Sequence, residues 1–135
     1  MRYTPCWKQI GISRDRYMEL LHFCRQYRDW KLEADSLLGI RAIKLDGQPH
    51  GSSVGDPVAS AAQKRERLMR KVDIVDECAR TVGGGAWHAA IVQNVCMGKS
   101  YMYIDQTIMP TSNKAEFFRH RREFFALLNE RVGTK

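Results

Sequence analysis

The sequence predicts an all-α fold: two long helices followed by a C-terminal helix-turn-helix unit. Three observations carry this. Apolar residues recur at helical spacing around residues 14–37, 57–82 and 114–128, which gives each stretch a stripe to bury. Each stretch is preceded by a residue type that caps a helix N-terminus: Ser13, Asp56 and Asn113. The one segment that alternates as a strand would, Arg41–Leu45, has no partner strand, and a lone strand is unstable.

Residues 1–12 read as a short arm whose Tyr3 and Trp7 pack back on the body. Ser13 then caps a helix expected to run from about Arg14 to Leu37, with Arg16 where a capping box would carry Glu or Gln. Tyr17, Leu20, Leu21, Cys24, Tyr27 and Trp30 form its inner stripe, and Arg14, Glu19, Arg25, Arg28 and Glu33 a solvated face. Gly39 is the expected stop. Residues 39–56 hold Gly39, Gly47, Gly51, Gly55, Pro49 and Ser52-Ser53, and read as a flexible, disordered loop.

Asp56-Pro57 opens the second long helix, because a proline at the first helical position lacks an N–H that would be unpaired there anyway. It is expected to reach about Val82 on a stripe that includes Val58, Ala61, Leu68, Val72, Val75 and Ala79. Lys64, Arg65, Arg67, Arg70 and Lys71 crowd its middle, and Asp73, Asp76 and Glu77 its end. The basic cluster reads as a solvated face with internal ion pairs or as a phosphate-contacting surface. Gly83-Gly84-Gly85 then makes a hinge or tight turn. A third helix, Ala86 to about Met97, packs through Trp87, Ala90, Ile91, Asn94 and Val95.

The stretch from Gly98 to Leu128 organises the rest. Ser100 caps a first helix, Pro110 ends it, and Thr111, Ser112 and Asn113 offer caps for a second, with Glu116 at capping-box spacing from Asn113. Phe117, Arg121, Phe124 and Leu128 fall on one face of that second helix, with Phe118 and Phe125 beside them. This is a helix-turn-helix layout, which sets the start of its second helix in the DNA major groove. The residues expected to touch nucleic acid are Lys99, Ser112, Asn113, Lys114, Arg119, His120 and Arg122, with Lys64, Arg67 and Lys71 as a second set. Glu116, and either Arg121 or Arg122, are the other residues of that part of the helix not needed for packing.

With 135 residues, the chain is read as a single domain: arm 1–12, two long helices over 13–82 joined by loop 39–56, and a helix-turn-helix unit over 86–132. Hydrophobic residues at 44% and charged residues at 27% fit a globular protein, not a disordered one. Lys and Arg number 22 against 15 Asp and Glu, a net charge of +7, which favours polyanionic partners, duplex DNA first. Cys6, Cys24, Cys78 and Cys96 show neither C-x-x-C nor zinc-finger spacing, and read as reduced thiols, the last three buried. There is no apolar run of membrane-spanning length, and the start, Met1-Arg2-Tyr3-Thr4-Pro5-Cys6-Trp7, lacks an apolar leader. The expected location is therefore cytoplasmic, with no membrane partner.

The order Gly98-x-Ser100-Tyr101-x-x-Ile104, then Ile108 and Pro110, resembles the last DNA-binding region of sigma factors. The ending Pro110-x-Ser112, then Phe117-Phe118-x-x-Arg121-Arg122-x-Phe124-Phe125-x-Leu127-Leu128, resembles phage and prophage regulators of the ArpU and RinA type. Upstream, Arg16-Tyr17-x-Glu19-Leu20 and Phe23-Cys24-x-Gln26-Tyr27-x-x-Trp30-Lys31 resemble the opening helix of small prophage proteins with the same ending. The resemblance implies a phage or prophage DNA-binding regulator in a bacterial host cell, controlling late gene transcription, with host RNA polymerase as a further partner. It implies a monomer or homodimer. Two other readings stay open: a small terminase subunit that forms a ring for DNA packaging, and a phage inhibitor of a host defence nuclease, anchored through Tyr101, Tyr103 and Trp87.

No cofactor, metal or catalytic site is expected. Gly98-Lys99-Ser100 resembles the end of a phosphate-binding loop, but Gln93 stands where its first glycine belongs, and no strand precedes it. Asp73, Asp76 and Glu77 lie near one another on a helix, the usual arrangement of an acidic helix end. His22, His50, His88 and His120 fall into no recognisable triad spacing.

Overall fold

The computed structural model describes residues 4–44, 57–110 and 113–133, residues 39–44 by their backbone alone. The fold is all-α, with no strand among the described residues. Helix α1 spans Cys6–Gln9, α2 Arg14–Arg25, α3 Tyr27–Lys44 and α4 Pro57–Thr81. A 3-10 turn, Val82–Gly85, leads to α5, His88–Ile91, which continues as a π-helical turn, Val92–Cys96. Helix α6, Tyr101–Tyr103, runs likewise into a π-helical turn, Ile104–Ile108, and α7 spans Lys114–Arg131. No helix among the described residues is long and apolar enough to cross a membrane.

The chain, read from sequence as a single domain, packs as two compact units, one of Met1–Gln26 with Ile74–Lys135 and one of Tyr27–Asp73. The second is a helical hairpin of α3 and the first part of α4. Its antiparallel sense follows from two contacts, Glu33 with Lys64 at 2.8 Å and the Trp30 ring with Lys71 Nζ at 5.5 Å. Tyr27, Trp30 and Ala34 on α3, with Ala61, Leu68 and Val72 on α4, are its buried residues among those described.

The expected helix from Arg14 to Leu37 is two helices, broken at Gln26. The Gln26 N–H bonds back to the Phe23 carbonyl at 3.3 Å, and its side-chain amide donates to the His22 carbonyl at 3.2 Å. The last turn of α2 thus tightens and closes on itself. Gly39 is not the stop either, since α3 continues to Lys44. An interior glycine costs about 1 kcal/mol of helix propensity, which the rest of a long helix offsets. Of the expected loop 39–56, residues 45–56, with Asp56, lie outside the described residues. The expected arm holds a helical turn, α1, that packs on α2.

The larger unit is built around α7. Phe117, Phe124, Phe125 and Leu128 are fully buried on its inner side. Each such side chain contributes roughly 1.5–3 kcal/mol on leaving water. Buried with them are Leu20 and Cys24 of α2, Val75 and Ala79 of α4, Val82 of the 3-10 turn, Ala90 and Ile91 of α5, and Ile104 after α6. The Tyr17 and Phe125 rings lie 4.9 Å apart. Gly83, Gly84 and Gly85 all take positive φ, so the triple glycine makes a tight turn that other residues rarely adopt.

Helix α2 also closes the C-terminal ends of two other helices. Arg16, read as part of a cap at its own N-terminus, gives its backbone N–H to Ser13 Oγ at 3.0 Å. Its side chain reaches away, donating to Asn129 Oδ1 at 2.7 Å and to the Val132 carbonyl at 2.6 Å, at the end of α7. Arg25, expected on a solvated face, donates from Nε to the Val95 carbonyl at 2.8 Å. Both arginines bring positive charge to carbonyls that lack helical partners.

Candidate nucleic-acid interface

The stretch from Gly98 to Leu128 folds locally as its caps dictate. Gly98 turns the chain at φ +73°, with the Arg25 guanidinium packed where a side chain would stand. Ser100 Oγ accepts the Tyr103 N–H at 3.1 Å and starts α6. The backbone turns extended at Met109, ahead of Pro110. Asn113 Oδ1 then accepts the N–H groups of Ala115 at 3.0 Å and Glu116 at 3.3 Å, which starts α7.

The outer side of α7 carries Lys114, Ala115, Phe118, Arg119 and Arg122, exposed or half-buried. The Lys114 ammonium lies 5.4 Å from the Tyr101 ring and 5.9 Å from the Phe118 ring. Arg119 is 59% exposed and faces Glu123 at 3.8 Å. A pair so open to water is worth little and yields easily to a phosphate. Lys99 stands before α6 with its Nζ 5.1 Å from the Tyr103 ring. These cations therefore gather around α6 and the start of α7.

Two of the expected contact residues, His120 and Asn113, are engaged otherwise. His120 is buried, its ring 4.9 Å from that of Trp87, with Glu123 Oε2 3.4 Å from Nδ1 and Glu116 Oε1 3.8 Å from Nε2. It follows Phe117 and precedes Phe124 on the inner face, so it cannot reach a groove. Asn113 is exposed, but its carbonyl oxygen is engaged in capping, and reading adenine needs both ends of the amide. Ser112 lies outside the described residues. Trp87, a possible anchor for a protein partner, is buried and therefore no anchor.

Arg121, which shares that stretch of helix, is a structural tie. Its Nε donates to Asn94 Oδ1 at 2.7 Å and its Nη2 to the Tyr17 hydroxyl at 3.0 Å, while its guanidinium lies 5.0 Å from the Phe125 ring. Asn94 in turn donates to the Lys99 carbonyl at 2.9 Å. One side chain thus links α2 and the π-helical turn after α5 to α7, next to the loop that opens α6.

The second expected set lies in the helical hairpin. Lys64 pairs with Glu33, Lys71 lies over Trp30, and Arg67 is exposed. Arg70 pairs with Glu66 at 2.9 Å. Two of these charges are thus matched within the hairpin, as a solvated helix face with internal salt bridges would have them.

Among the described residues no group of three or more His, Cys, Asp or Glu side chains is placed to hold a metal ion. His88 Nε2 and Asp76 Oδ1 are 2.9 Å apart and join α5 to the end of α4. The four cysteines are free thiols, with Cys24, Cys78 and Cys96 buried. A hydrogen bond to Cys96, then burial, holds the Cys24 thiol far above the usual thiol range. Compared with protein-family models, with curated proteins and with solved structures, the chain matches none.

What the residue pattern had missed is Met102, 67% exposed, and the pairing of a lysine with each aromatic station of α6. The signal was in the sequence, as Tyr101-Met102-Tyr103 flanked by Lys99 and followed by Lys114.

Proposed function

We propose that the protein is a DNA-binding regulator of phage or prophage genes, acting on late transcription through α6 and α7 as a helix-turn-helix. The observation that supports this most is the two-sidedness of α7. Its inner side is an aromatic core, and its outer side presents Lys114, Arg119 and Arg122 directly after a side-chain-capped N-terminus. Such a helix can lie in a major groove with its cations on phosphates and guanine edges. The net charge of +7 supplies the long-range attraction. The resemblance of the Gly98–Leu128 stretch to sigma-factor and ArpU/RinA-type motifs supports the regulatory side of the reading.

Affinity would rest on phosphate contacts, and these release counterions. Titrating a labelled duplex at several salt concentrations should therefore give a steep negative slope of log affinity on log salt. A flat slope, or no binding at low salt, would overturn the proposal. Mass in solution adds a second check: a monomer or dimer fits regulation, and a ring of many subunits would move the reading to DNA packaging.

A further inference from the structure

Helix α6 is a single turn, yet it displays more aromatic and apolar surface than its size requires. Ser100 fixes the turn, and successive residues leave it about 100° apart. Tyr101 points toward α7, with its ring 5.4 Å from Phe117 and 5.9 Å from Phe118. Tyr103 leaves on another side, 38% exposed, beside Met102 at 67%. Burying the rest of these two would remove apolar area from water, but their own unit leaves Met102 largely and Tyr103 partly open. Each tyrosine carries a lysine at its ring: Lys99 at Tyr103, Lys114 at Tyr101.

A part-exposed ring and a polarisable thioether on one short turn, with an ammonium at the ring, match one ligand chemistry. A nucleobase has a flat π-face to stack on the ring, and its phosphate takes the ammonium. In closed duplex only base edges are offered, in the grooves, and the faces are hidden in the stack. The Tyr103 ring can use a base face only where bases are unpaired. We propose that Tyr103, with Met102 and Lys99, is a stacking station for an unpaired base, so that the α6 side of the interface binds single-stranded nucleic acid. Lys99 leaves the ring face as the base arrives and pairs with the adjoining phosphate. The Tyr101–Phe118–Lys114 cluster offers a second, half-buried station at the start of α7. This inference rests on the reading that the protein binds nucleic acid, and extends it from closed duplex to strands that are open.

The test uses the full chain and three labelled probes of about a dozen nucleotides, within the range of known single-strand sites. The probes are oligo(dU), oligo(U) and a duplex, read by fluorescence anisotropy. Tyr103→Leu keeps apolar bulk and removes the ring; Tyr103→Trp enlarges the stacking surface. The expected result is that Tyr103→Leu weakens single-strand binding roughly tenfold, in line with the loss of one stacked base, and leaves duplex binding unchanged. Tyr103→Trp should hold or raise single-strand affinity. A bromodeoxyuridine-substituted strand should cross-link within residues 101–103. Comparing oligo(U) with oligo(dU), which share the base, identifies the sugar that the site prefers. Single-strand binding that ignores Tyr103→Leu, an equal loss on duplex and single strand, or a cross-link elsewhere overturns the station. If the wild-type protein fails on duplex but binds single strands through Tyr103, the duplex reading alone falls. If it binds no nucleic acid, both fall, and the patch is a protein-docking surface.

Discussion

Trp87 lies against His120, indole on imidazole, and both rings close over Gly83. A Cβ built on Gly83 would stand 2.4 Å from Trp87 Cδ1 and 3.1 Å from His120 Cε1. Gly83→Ala therefore meets a side chain in the core as well as a positive φ, +58°. The neighbouring Gly84, at φ +73°, has nothing within 4 Å of the same point. Gly84→Ala should cost about 1–2 kcal/mol for the left-handed backbone alone. Gly83→Ala should cost clearly more, because overpacking adds about 1–3 kcal/mol. Urea unfolding of both variants separates the two terms, and equal losses would mean that the indole moves aside freely.

The two faces of α7 make a second contrast. Phe124 is fully buried, and Phe124→Ala should cost about 3–5 kcal/mol, a large part of a domain's stability. Arg119→Ala should leave the melting temperature nearly unchanged, within about 0.5 kcal/mol, and weaken DNA binding. If Arg119 meets phosphate, the loss should be uniform over sequences and the salt slope should fall by about one unit. An Arg119→Ala protein that melts early but binds normally would reverse the assignment.

Arg121 should behave unlike its neighbour. Removing its guanidinium strips Asn94 and Tyr17 of a charged partner, each such bond being worth about 1.5–3 kcal/mol. Arg121→Ala should lower stability by at least about 2 kcal/mol. Arg121→Lys should recover only part, since an ammonium cannot reproduce the guanidinium fork. Thermal melts decide it; a DNA-binding loss with normal stability would place Arg121 on the ligand instead.

Three thiols, two buried and one half-buried, predict an alkaline weakness. Cys24, Cys78 and Cys6 are all held above their usual range, Cys24 by the Cys96 hydrogen bond first and the other two by burial first. The folded chain therefore keeps protons that the unfolded chain releases above about pH 8.5. Stability from this source is complete below that pH and falls as pH rises, by at most about 1.4 kcal/mol per pH unit per thiol. Urea midpoints measured under reducing conditions between about pH 7.5 and 9.5 should decline. Cys24→Ala, compared at each pH, should decline less steeply. A profile that is flat over this window would show that the thiols ionise freely in the fold.

The capped helices were legible in the sequence, because caps and stripes are local. Pro57 opens α4, and Ser100 and Asn113 cap α6 and α7, as read from residue type alone. The break at Gln26 was not legible, since no glycine or proline marks it and the closing bonds use backbone atoms and an ordinary glutamine side chain. His120 was misplaced for a different reason. Its position, between Phe117 and Phe124 at helical spacing, marked the inner face, but its polar type suggested the outer one. Arg121 was read two ways, on the inner face by spacing and, with Arg122, among the cations free for a ligand, because its partners Asn94 and Tyr17 lie far off in sequence. The same distance hid the roles of Arg16 and Arg25.

Arg16 meets Asn129 and Val132 across separations of 113 and 116 residues. On the ribosome, α2 emerges early and waits for almost all the remaining chain before its arginine finds those carbonyls. Tyr27–Asp73, by contrast, is one uninterrupted segment and can condense as soon as it is out. Synthesis therefore carries that segment past an N-terminal stretch that is covered in two steps, first by the π-helical turn Val92–Cys96, which meets Arg25, and last by α7, which meets Tyr17 and Arg16. A chain that stalls before α7 leaves that face only partly covered, and exposed apolar surface is what chaperones and proteases bind.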